Sequence, residues 1–487
     1  MKRVSILLVL ILTLSACQQR HLDIFPELSN EALLTKQLTV EQMHDDIDAF
    51  LEGALTRHPE IEEYADVPSL KAQAEKLKAS ITSPLTRIAF YRVVGKLSPF
   101  FQDGHSFLIW PYQELNLARD QGHKTFPLSV TVGQNGQLQL KQAYKIGDRS
   151  IPSSTEILSI NGVESDQILS TLKQYVGGET ELLREHVVAM RFGIGLWAYY
   201  GWLDSFNIEL ELPDGAQSVS LQKDGLWPEA DAQATGMTAS EAGKDHYYKR
   251  LSEDVGFIYL AHFDVEPDTF ETFIDDTFAT LREQKIKHLI IDVRDNPGGN
   301  TDTVTYLTKH LADKPFRMIS KLKEKLNEEN RGWFNYKGEV GEILLSDWDD
   351  WETPVAENKR FHGSTYLLIG PVTYSASIVL ATTLKDNDIA TLVGKTTGGF
   401  ANQSAQGNLF NLPHSELRAY ITTRMLVRPN GELARQGVVP HYNVNDYAIA
   451  RCQQADGNND PSLALIDLLL SGELEECKKV VTQSGKQ

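Results

Sequence analysis

The chain has 487 residues, of which 41% are hydrophobic and 23% charged, a composition ordinary for a soluble globular protein of about two to four domains. Its 66 acidic residues outnumber its 47 basic ones, which disfavours a nucleic-acid partner, because phosphates require a basic surface. No cysteine and histidine cluster has the spacing of a zinc site. We therefore expect no metal and no other cofactor.

The first residues have the pattern of an export signal. Lys2 and Arg3 precede an apolar run that is too short to cross a bilayer as a helix, and small residues precede Cys17. The ending LSAC resembles a bacterial lipoprotein signal, in which residues 1–16 are removed and Cys17 is lipidated. An ordinary cleaved signal with an incidental cysteine is the alternative. Gln18 stands where inner-membrane retention favours Asp, so the resemblance implies an outer-membrane anchor facing the periplasm.

Two further cysteines, Cys452 and Cys477, remain once Cys17 carries lipid. An exported protein reaches an oxidising compartment, where such a pair forms a disulfide. We predict that disulfide, with two free thiols as the alternative.

Residues 17–115 are predicted to form an N-terminal helical region. In TVEQMHDDIDAFLEGAL, four apolar residues recur at i+4 spacing on one stripe: Met43, Ile47, Leu51 and Leu55. Such a stripe is typical of a helix that packs against a core.

Residues 116–245 are predicted to be rich in β-strands. One hairpin turns at Asn135-Gly136 and a second at Pro213-Asp214-Gly215. The stretch EILSING, followed by a short helix, resembles a degenerate PDZ domain. Such domains bind chain ends by adding a strand to a sheet edge. A β-rich spacer that binds nothing is the alternative.

Residues 246–450 are predicted to form an α/β domain, since strand-like runs alternate with helical ones and this order is typical of a mostly parallel sheet. The acidic and aromatic insert from about Lys321 to Pro354 is expected to be a lid over a site or a surface loop. Residues 451–487 are predicted to be a helical tail.

Two loops of the α/β domain carry residues suited to catalysis. IIDVRDNPGG ends a buried strand in the pair Gly298 and Gly299, and TYSAS places Ser375 where another strand gives way to a helix. Ligands of such sheets gather at the carboxyl ends of the strands. The N–H of Ala376 and that of Gly298 or Gly299 are therefore predicted to form an oxyanion hole. A plain turn and a helix N-cap are the alternative interpretations.

Four segments occur here in one order: GFIYLAHF, LIIDVRDNPGG, TYSASIVLATTLKDNDIATLVGKTTGG and GELARQGVVP. In this they resemble the C-terminal processing, or tail-specific, serine peptidases with their tricorn and retinoid-binding-protein relatives. The resemblance implies a ClpP/crotonase-like catalytic fold, with the helical and PDZ-like regions before it. It also implies that Ser375 is the nucleophile.

The sequence departs from the processing branch at the general base. Phe400 in TTGGFANQ takes the place of that branch's lysine, and Lys395 directly follows a strand and is expected to face away. A hydroxyl without a base is a poor nucleophile. The tricorn-like branch uses a histidine, and His105 in FFQDGHSFLIW is the candidate, because an imidazole suits base catalysis near neutral pH.

A carboxylate usually orients such a histidine. By resemblance to the tricorn-like branch the candidate is Glu432 in PNGELARQGVVP, and a solvated turn glutamate is the alternative. Asp103 is expected to shape the turn that carries His105.

We therefore expect an exported serine endopeptidase that cleaves peptide or protein substrates through an acyl-enzyme. Two alternatives remain open. One is an inactive protein on the same fold that binds peptides or an apolar ligand. The other is an esterase, although no G-x-S-x-G elbow surrounds Ser375.

Overall fold

The computed structural model describes residues 31–133, 135–231, 244–331, 337–453 and 460–484. The predicted signal peptide and Cys17 lie outside the described residues. In the described part of the chain, no helix combines the length and the apolar character that crossing a membrane requires.

The N-terminal region is helical. Its elements are β1 (Gln37–Leu38), α1 (Val40–Arg57), α2 (Ile61–Tyr64), α3 (Val67–Ser80), β2 (Leu85–Thr86), α4 (Arg87–Val94), β3 (Phe107–Leu108) and α5 (Tyr112–Asp120), with 3₁₀ turns at Glu31–Leu34 and Gly95–Phe100. Helix α1 begins with a capping box, in which the Thr39 hydroxyl accepts from the Gln42 N–H and the Gln42 side chain accepts from the Thr39 N–H. On the predicted stripe, Met43 and Ile47 are fully buried.

The middle region is mainly β-structure. Its elements are β4 (Val130–Val132), β5 (Leu138–Leu140), β6 (Tyr144–Ile146), β7 (Arg149–Ile151), β8 (Glu156–Ile160), β9 (Val163–Glu164), α6 (Ser165–Lys173), α7 (Glu181–Met190), α8 (Phe192–Tyr200), β10 (Ser205–Leu212), β11 (Gly215–Gln222) and β12 (Glu229–Ala230). One sheet has the order β11-β10-β8-β5-β4 with β9 on β8, and a smaller sheet has the order β12-β6-β7. Both predicted hairpins are confirmed, since β4 pairs with β5 and β10 with β11 in antiparallel register.

The third region is an α/β unit. Its elements are β13 (His246–Arg250), β14 (Val255–Leu260), α9 (Pro267–Glu283), β15 (His288–Asp292), α10 (Thr301–Leu311), β16 (Lys321–Lys325), β17 (Ile343–Asp347), β18 (Ser364–Ile369), α11 (Ala376–Asp386), β19 (Thr391–Gly394), β20 (Gln403–Asn411), β21 (Arg418–Val427) and β22 (Tyr442–Asn443), with a 3₁₀ turn at Glu357–Lys359. The main sheet has the order β13-β14-β15-β18-β19-β22. It is parallel from β14 to β22, as predicted, and only its edge strand β13 is antiparallel.

A second sheet in the same region has the order β17-β16-β21-β20. Its strands β16 and β17 come from the insert that was expected to be a lid or a surface loop. For this part of the insert the expectation was wrong, because β16 pairs with β21 and β17 pairs with β16. Strand β3 of the helical region also pairs with β21, through Phe107 opposite Tyr420. This pairing fixes the turn before β3 against the α/β region.

The tail consists of α12 (Tyr447–Gln453), α13 (Pro461–Ser471) and α14 (Leu474–Ser484). A disulfide joins Cys452 to Cys477. Apolar residues of α12 and α13 pack with the side chains of β14, β15, β18 and β19 that face them, including Leu368 and Val393. The tail therefore covers one face of the main sheet.

Candidate active site

Ser375 occupies the sharp turn between β18 and α11. Its backbone angles are φ 54° and ψ −122°, a conformation that side-chain-bearing residues rarely adopt and that costs on the order of 1–3 kcal/mol. Its side chain forms no capping bond to the helix. Instead, the Oγ atom lies 3.0 Å from Nε2 of His105, so the structure directs this hydroxyl to an imidazole.

The glycine pair approaches Ser375 closely. Gly298 has φ +104°, and a Cβ atom there would lie 2.5 Å from the Ser375 Cβ and 2.9 Å from the Ala376 nitrogen. Any larger residue would therefore push the loop away from the serine. Glycine at this position allows a backbone-to-backbone approach between β15's loop and the start of α11.

Two of the three amides predicted for the oxyanion hole are unpaired within the described part of the chain. Among the described residues, neither the Ala376 N–H nor the Gly299 N–H donates to an acceptor. The Gly298 N–H, by contrast, donates to Oδ1 of Asn296 at 2.9 Å. Of the two glycines predicted as alternatives, Gly299 is thus the one whose amide is free to bind an anion.

His105 reaches Ser375 from a segment 270 residues earlier in the chain. Asp103 shapes its turn, as expected, by accepting from the His105 N–H at 2.9 Å and from the Ser106 hydroxyl at 2.5 Å. The imidazole stacks on the Tyr374 ring, with centroids 4.8 Å apart and planes 27° from parallel. These contacts hold the ring with Nε2 toward the serine.

The other ring nitrogen of His105 leads to a carboxylate through a second serine. Nδ1 lies 2.9 Å from Oγ of Ser404, on β20, and the Ser404 hydroxyl donates in turn to Oδ1 of Asp103. Because the Ser404 proton is directed to Asp103, the Ser404 oxygen accepts from the Nδ1–H of His105. This tautomer leaves the Nε2 lone pair facing the Ser375 hydroxyl.

The charges of the site favour a neutral imidazole and an ionised aspartate. Burial opposes the charge of Asp103, but its interaction with the His58 imidazole outweighs burial and holds the pKa of Asp103 well below its usual value. His58 is itself buried, with Nε2 3.2 Å from the Asp103 carboxylate. Burial lowers the pKa of His105, against the opposing effect of Asp103. The imidazole is therefore free to accept a proton near neutral pH.

Glu432 does not orient His105, so that prediction was wrong. Both ring nitrogens of His105 have other partners, and the Glu432 carboxylate pairs with Arg428 at 2.9 Å. Arg428 lies four residues earlier and also binds Asp386, which draws Glu432 into a separate ion-pair cluster. The alternative of a turn glutamate describes its position better, since about half of its side chain, 49%, is exposed.

The Phe400 ring packs near an aromatic ring and a guanidinium group. Its ring is 6.4 Å from the ring of Tyr64, and the Arg435 guanidinium lies 5.6 Å from its centroid. At the end of β15, Asp292 and Arg294 form an ion pair with each other.

Sequence reasoning missed several groups that touch the site: Ser404, Tyr374, His58, Gln403 and Glu179. Tyr374 directly precedes the candidate nucleophile, which was a usable signal. Gln403 donates from Nε2 to the Ser375 carbonyl at 2.9 Å and stands next to Ser404, in the segment that follows the departure at Phe400. Nothing in the local sequence marks His58 or Glu179.

Comparisons with known proteins agree with this fold. Residues 254–444 match the family model described as peptidase family S41. The carboxyl-terminal-processing protease of Picosynechococcus sp. is 21% identical over 390 residues, covering 79% of this chain and 80% of that protein. Among solved structures, mature CPAF complexed with lactacystin is 17% identical, covers 91% of this chain and 98% of its own, and has a TM-score of 0.59. Mature CPAF alone is 16% identical, with 83% and 93% covered and a TM-score of 0.55.

The fold and the site together define a serine peptidase. Over residues 254–444, the chain is similar to peptidase family S41. As a peptidase, it acts on peptide or protein substrates.

Proposed function

We propose that the protein is a serine endopeptidase in which Ser375 is the nucleophile and His105 the general base. The observation that carries the proposal is the 3.0 Å contact between Ser375 Oγ and His105 Nε2, with the Nδ1 side of the ring anchored through Ser404. In this assignment the protein uses a histidine base, like the tricorn-like branch, and has no need of a lysine at position 400. The two-sheet α/β region is proposed to be of the ClpP/crotonase-like type.

Each group has a step in this mechanism. His105 Nε2 takes the proton of Ser375 as Oγ attacks the substrate carbonyl, and the Gly299 and Ala376 amides bind the oxygen on which negative charge develops. Asp103, acting through Ser404, stabilises the imidazolium that forms. His105 then gives its proton to the leaving amine, which leaves an acyl-enzyme on Ser375. Water, activated by His105, hydrolyses that ester and restores the hydroxyl.

The test is labelling with a fluorophosphonate probe and cleavage of casein by protein that begins at Gln18. Ser375→Ala and His105→Ala are expected to abolish both while the circular dichroism spectrum is unchanged. Ser377→Ala is the matched control, because this hydroxyl is buried two residues along and has no hydrogen-bond partner among the described residues. Full activity in His105→Ala would remove the assigned base.

The same experiment separates the enzyme from a binding protein on this fold. A receptor would keep the fold and bind peptide, yet Ser375 would not react with the probe. The free amides and the bonded imidazole favour the enzyme, since binding alone requires neither.

We also propose that the substrate end is recognised before cleavage. The curated relative is named for processing carboxyl termini, and the middle region offers a twisted sheet with helix α6 beside it, compatible with a PDZ-like module. A peptide with a free C-terminus is then expected to be cleaved faster than its amidated form, mainly through a lower KM. Equal rates for the two peptides would contradict this recognition.

A lipid anchor at Cys17 on the outer membrane, facing the periplasm, remains a proposal from the sequence. A cell that produces the full chain with radioactive palmitate is expected to label it, and Cys17→Ala should release unlabelled protein to the soluble fraction. Label that persists in Cys17→Ala would contradict this anchor.

A further inference from the structure

A second buried carboxyl group lies near His105, and the proposed mechanism does not use it. Oε1 of Glu179 accepts a hydrogen bond from the Tyr374 hydroxyl at 2.8 Å, and the same hydroxyl oxygen lies 3.2 Å from Nδ1 of His105. Glu179 is 8% exposed, and its Oε2 has no hydrogen-bond partner among the described residues. Burying a carboxyl group with one oxygen unpaired lowers the stability of the fold. A functional role would explain why such a group is present here.

The segment that carries Glu179 is fixed between the other regions. The Gly178 N–H donates to the Phe101 carbonyl at 3.0 Å, in the helical region. The Thr180 hydroxyl donates to the Gly398 carbonyl at 2.7 Å, in the α/β region, and also caps helix α7. The middle region of the chain thus contributes one group to the catalytic centre, and that group is held firmly.

We propose that Glu179 is a positioning residue that selects the productive tautomer of His105 through Tyr374. The proposal rests on the function proposed above. The Tyr374 hydroxyl has a single proton. When it is donated to Glu179, the Tyr374 oxygen can only accept from the imidazole, which supports the proton on Nδ1.

The opposite arrangement would disable the base. If Tyr374 donated its proton to Nδ1, the imidazole would carry its own proton on Nε2, directed at Ser375, and could not accept another. Ser404 alone opposes this arrangement through its contact with Nδ1. An acceptor at position 179 therefore adds a second restraint on the same proton.

The strength of this restraint depends on pH. Burial and the negative charge of Asp103 raise the pKa of Glu179 to about 8, against the hydrogen bond from Tyr374. The other groups within electrostatic reach are Tyr64 and Arg184, with His105 beyond the Tyr374 hydroxyl. Below that pH, the protonated carboxyl group of Glu179 competes with the His105 Nδ1–H for the Tyr374 oxygen. Above it, the Glu179 carboxylate is a stronger acceptor for the Tyr374 proton and also stabilises the His105 imidazolium. Hydrolysis should therefore quicken as the pH passes through about 8.

The test is the pH dependence of kcat/KM for peptide hydrolysis by the full-length protein. The wild type is expected to show a severalfold rise centred near pH 8. In Glu179→Gln the amide oxygen accepts the Tyr374 proton at every pH, so the ratio of kcat/KM above and below the rise falls to about one. Tyr374→Phe should lose the rise as well. The matched control is Glu181→Gln. Glu181 lies two residues after Glu179, is exposed and pairs with Lys173.

A persistent rise in Glu179→Gln would overturn the inference, and so would an equal loss at every pH, which would show a packing role only. A second measurement needs no turnover: the ¹⁵N shifts of His105 in the Ser375→Ala background. The Nδ1–H tautomer is expected there, and Glu179→Leu should move the balance toward Nε2–H. An unchanged balance counts against Glu179. The expected shift, together with a wild type that does not react with fluorophosphonate, counts against the proposed function alone.

Discussion

The backbone conformation of Ser375 is unfavourable for a residue with a side chain. A serine with φ 54° and ψ −122° is strained, and the proposed reaction of its hydroxyl explains why glycine does not stand there.

We therefore expect Ser375→Gly to be more stable than Ser375→Ala by about 1 kcal/mol, since glycine relieves strain but loses some backbone entropy on folding. Denaturant midpoints of the two inactive variants measure the difference. At position 377, inside α11, the Ser377→Gly variant should be less stable than Ser377→Ala, because glycine weakens a regular helix. Equal midpoints at position 375 would show that the turn is unstrained.

Ser404 permits a second prediction at this scale. Ser404→Ala removes the link between His105 Nδ1 and the Asp103 carboxylate but leaves Tyr374 in contact with Nδ1. Loss of one charge-assisted hydrogen bond should lower kcat/KM about 10- to 100-fold, with KM little changed. Steady-state peptide hydrolysis measures this, and a Ser404→Thr variant should restore part of the rate. An unchanged kcat would exclude the relay through Ser404.

The elements that carry the site were largely predictable, because each catalytic loop follows a strong local pattern. Buried strands end at NPGG and before TYSAS, and the hairpins carry typical turn residues. The proton-transfer partners were not predictable, since His105 meets Ser404 across 299 residues and Tyr374 meets Glu179 across 195. Glu432 failed for a local reason: an arginine four residues before it is a nearer partner than a distant imidazole. The pairing of β3 with β21 brings the turn that carries His105 to the α/β region, and no local sequence pattern indicates this pairing.

The tail gives a prediction at the scale of elements. The Cys452–Cys477 bridge closes a separation of 25 residues, so the chain-entropy model assigns it about 3 kcal/mol. In the Cys452→Ser, Cys477→Ser double variant, amide exchange in α12 and α14 should accelerate while β15 and β18 stay protected. Reduced wild type should behave like the double variant. Unaltered exchange in the tail would show that packing alone holds it.

For the whole molecule, Glu179 links the site to stability. Its pKa is about 8 in the folded chain and returns to its ordinary value, about 4.3, on unfolding. Between those values the folded state holds a proton that the unfolded state has lost, so the free energy of unfolding falls as the pH rises through that window. Glu179→Gln removes this contribution, and its stability advantage over the wild type should grow from acid pH toward pH 8. Urea midpoints at several pH values measure the difference, and a constant difference would contradict the raised pKa.

The proposed nucleophile Ser375, the proposed base His105 and the buried carboxyl group of Glu179 come from three regions of the chain, so no single region holds all of them. Assembly of the three regions is therefore the step at which the proposed activity begins.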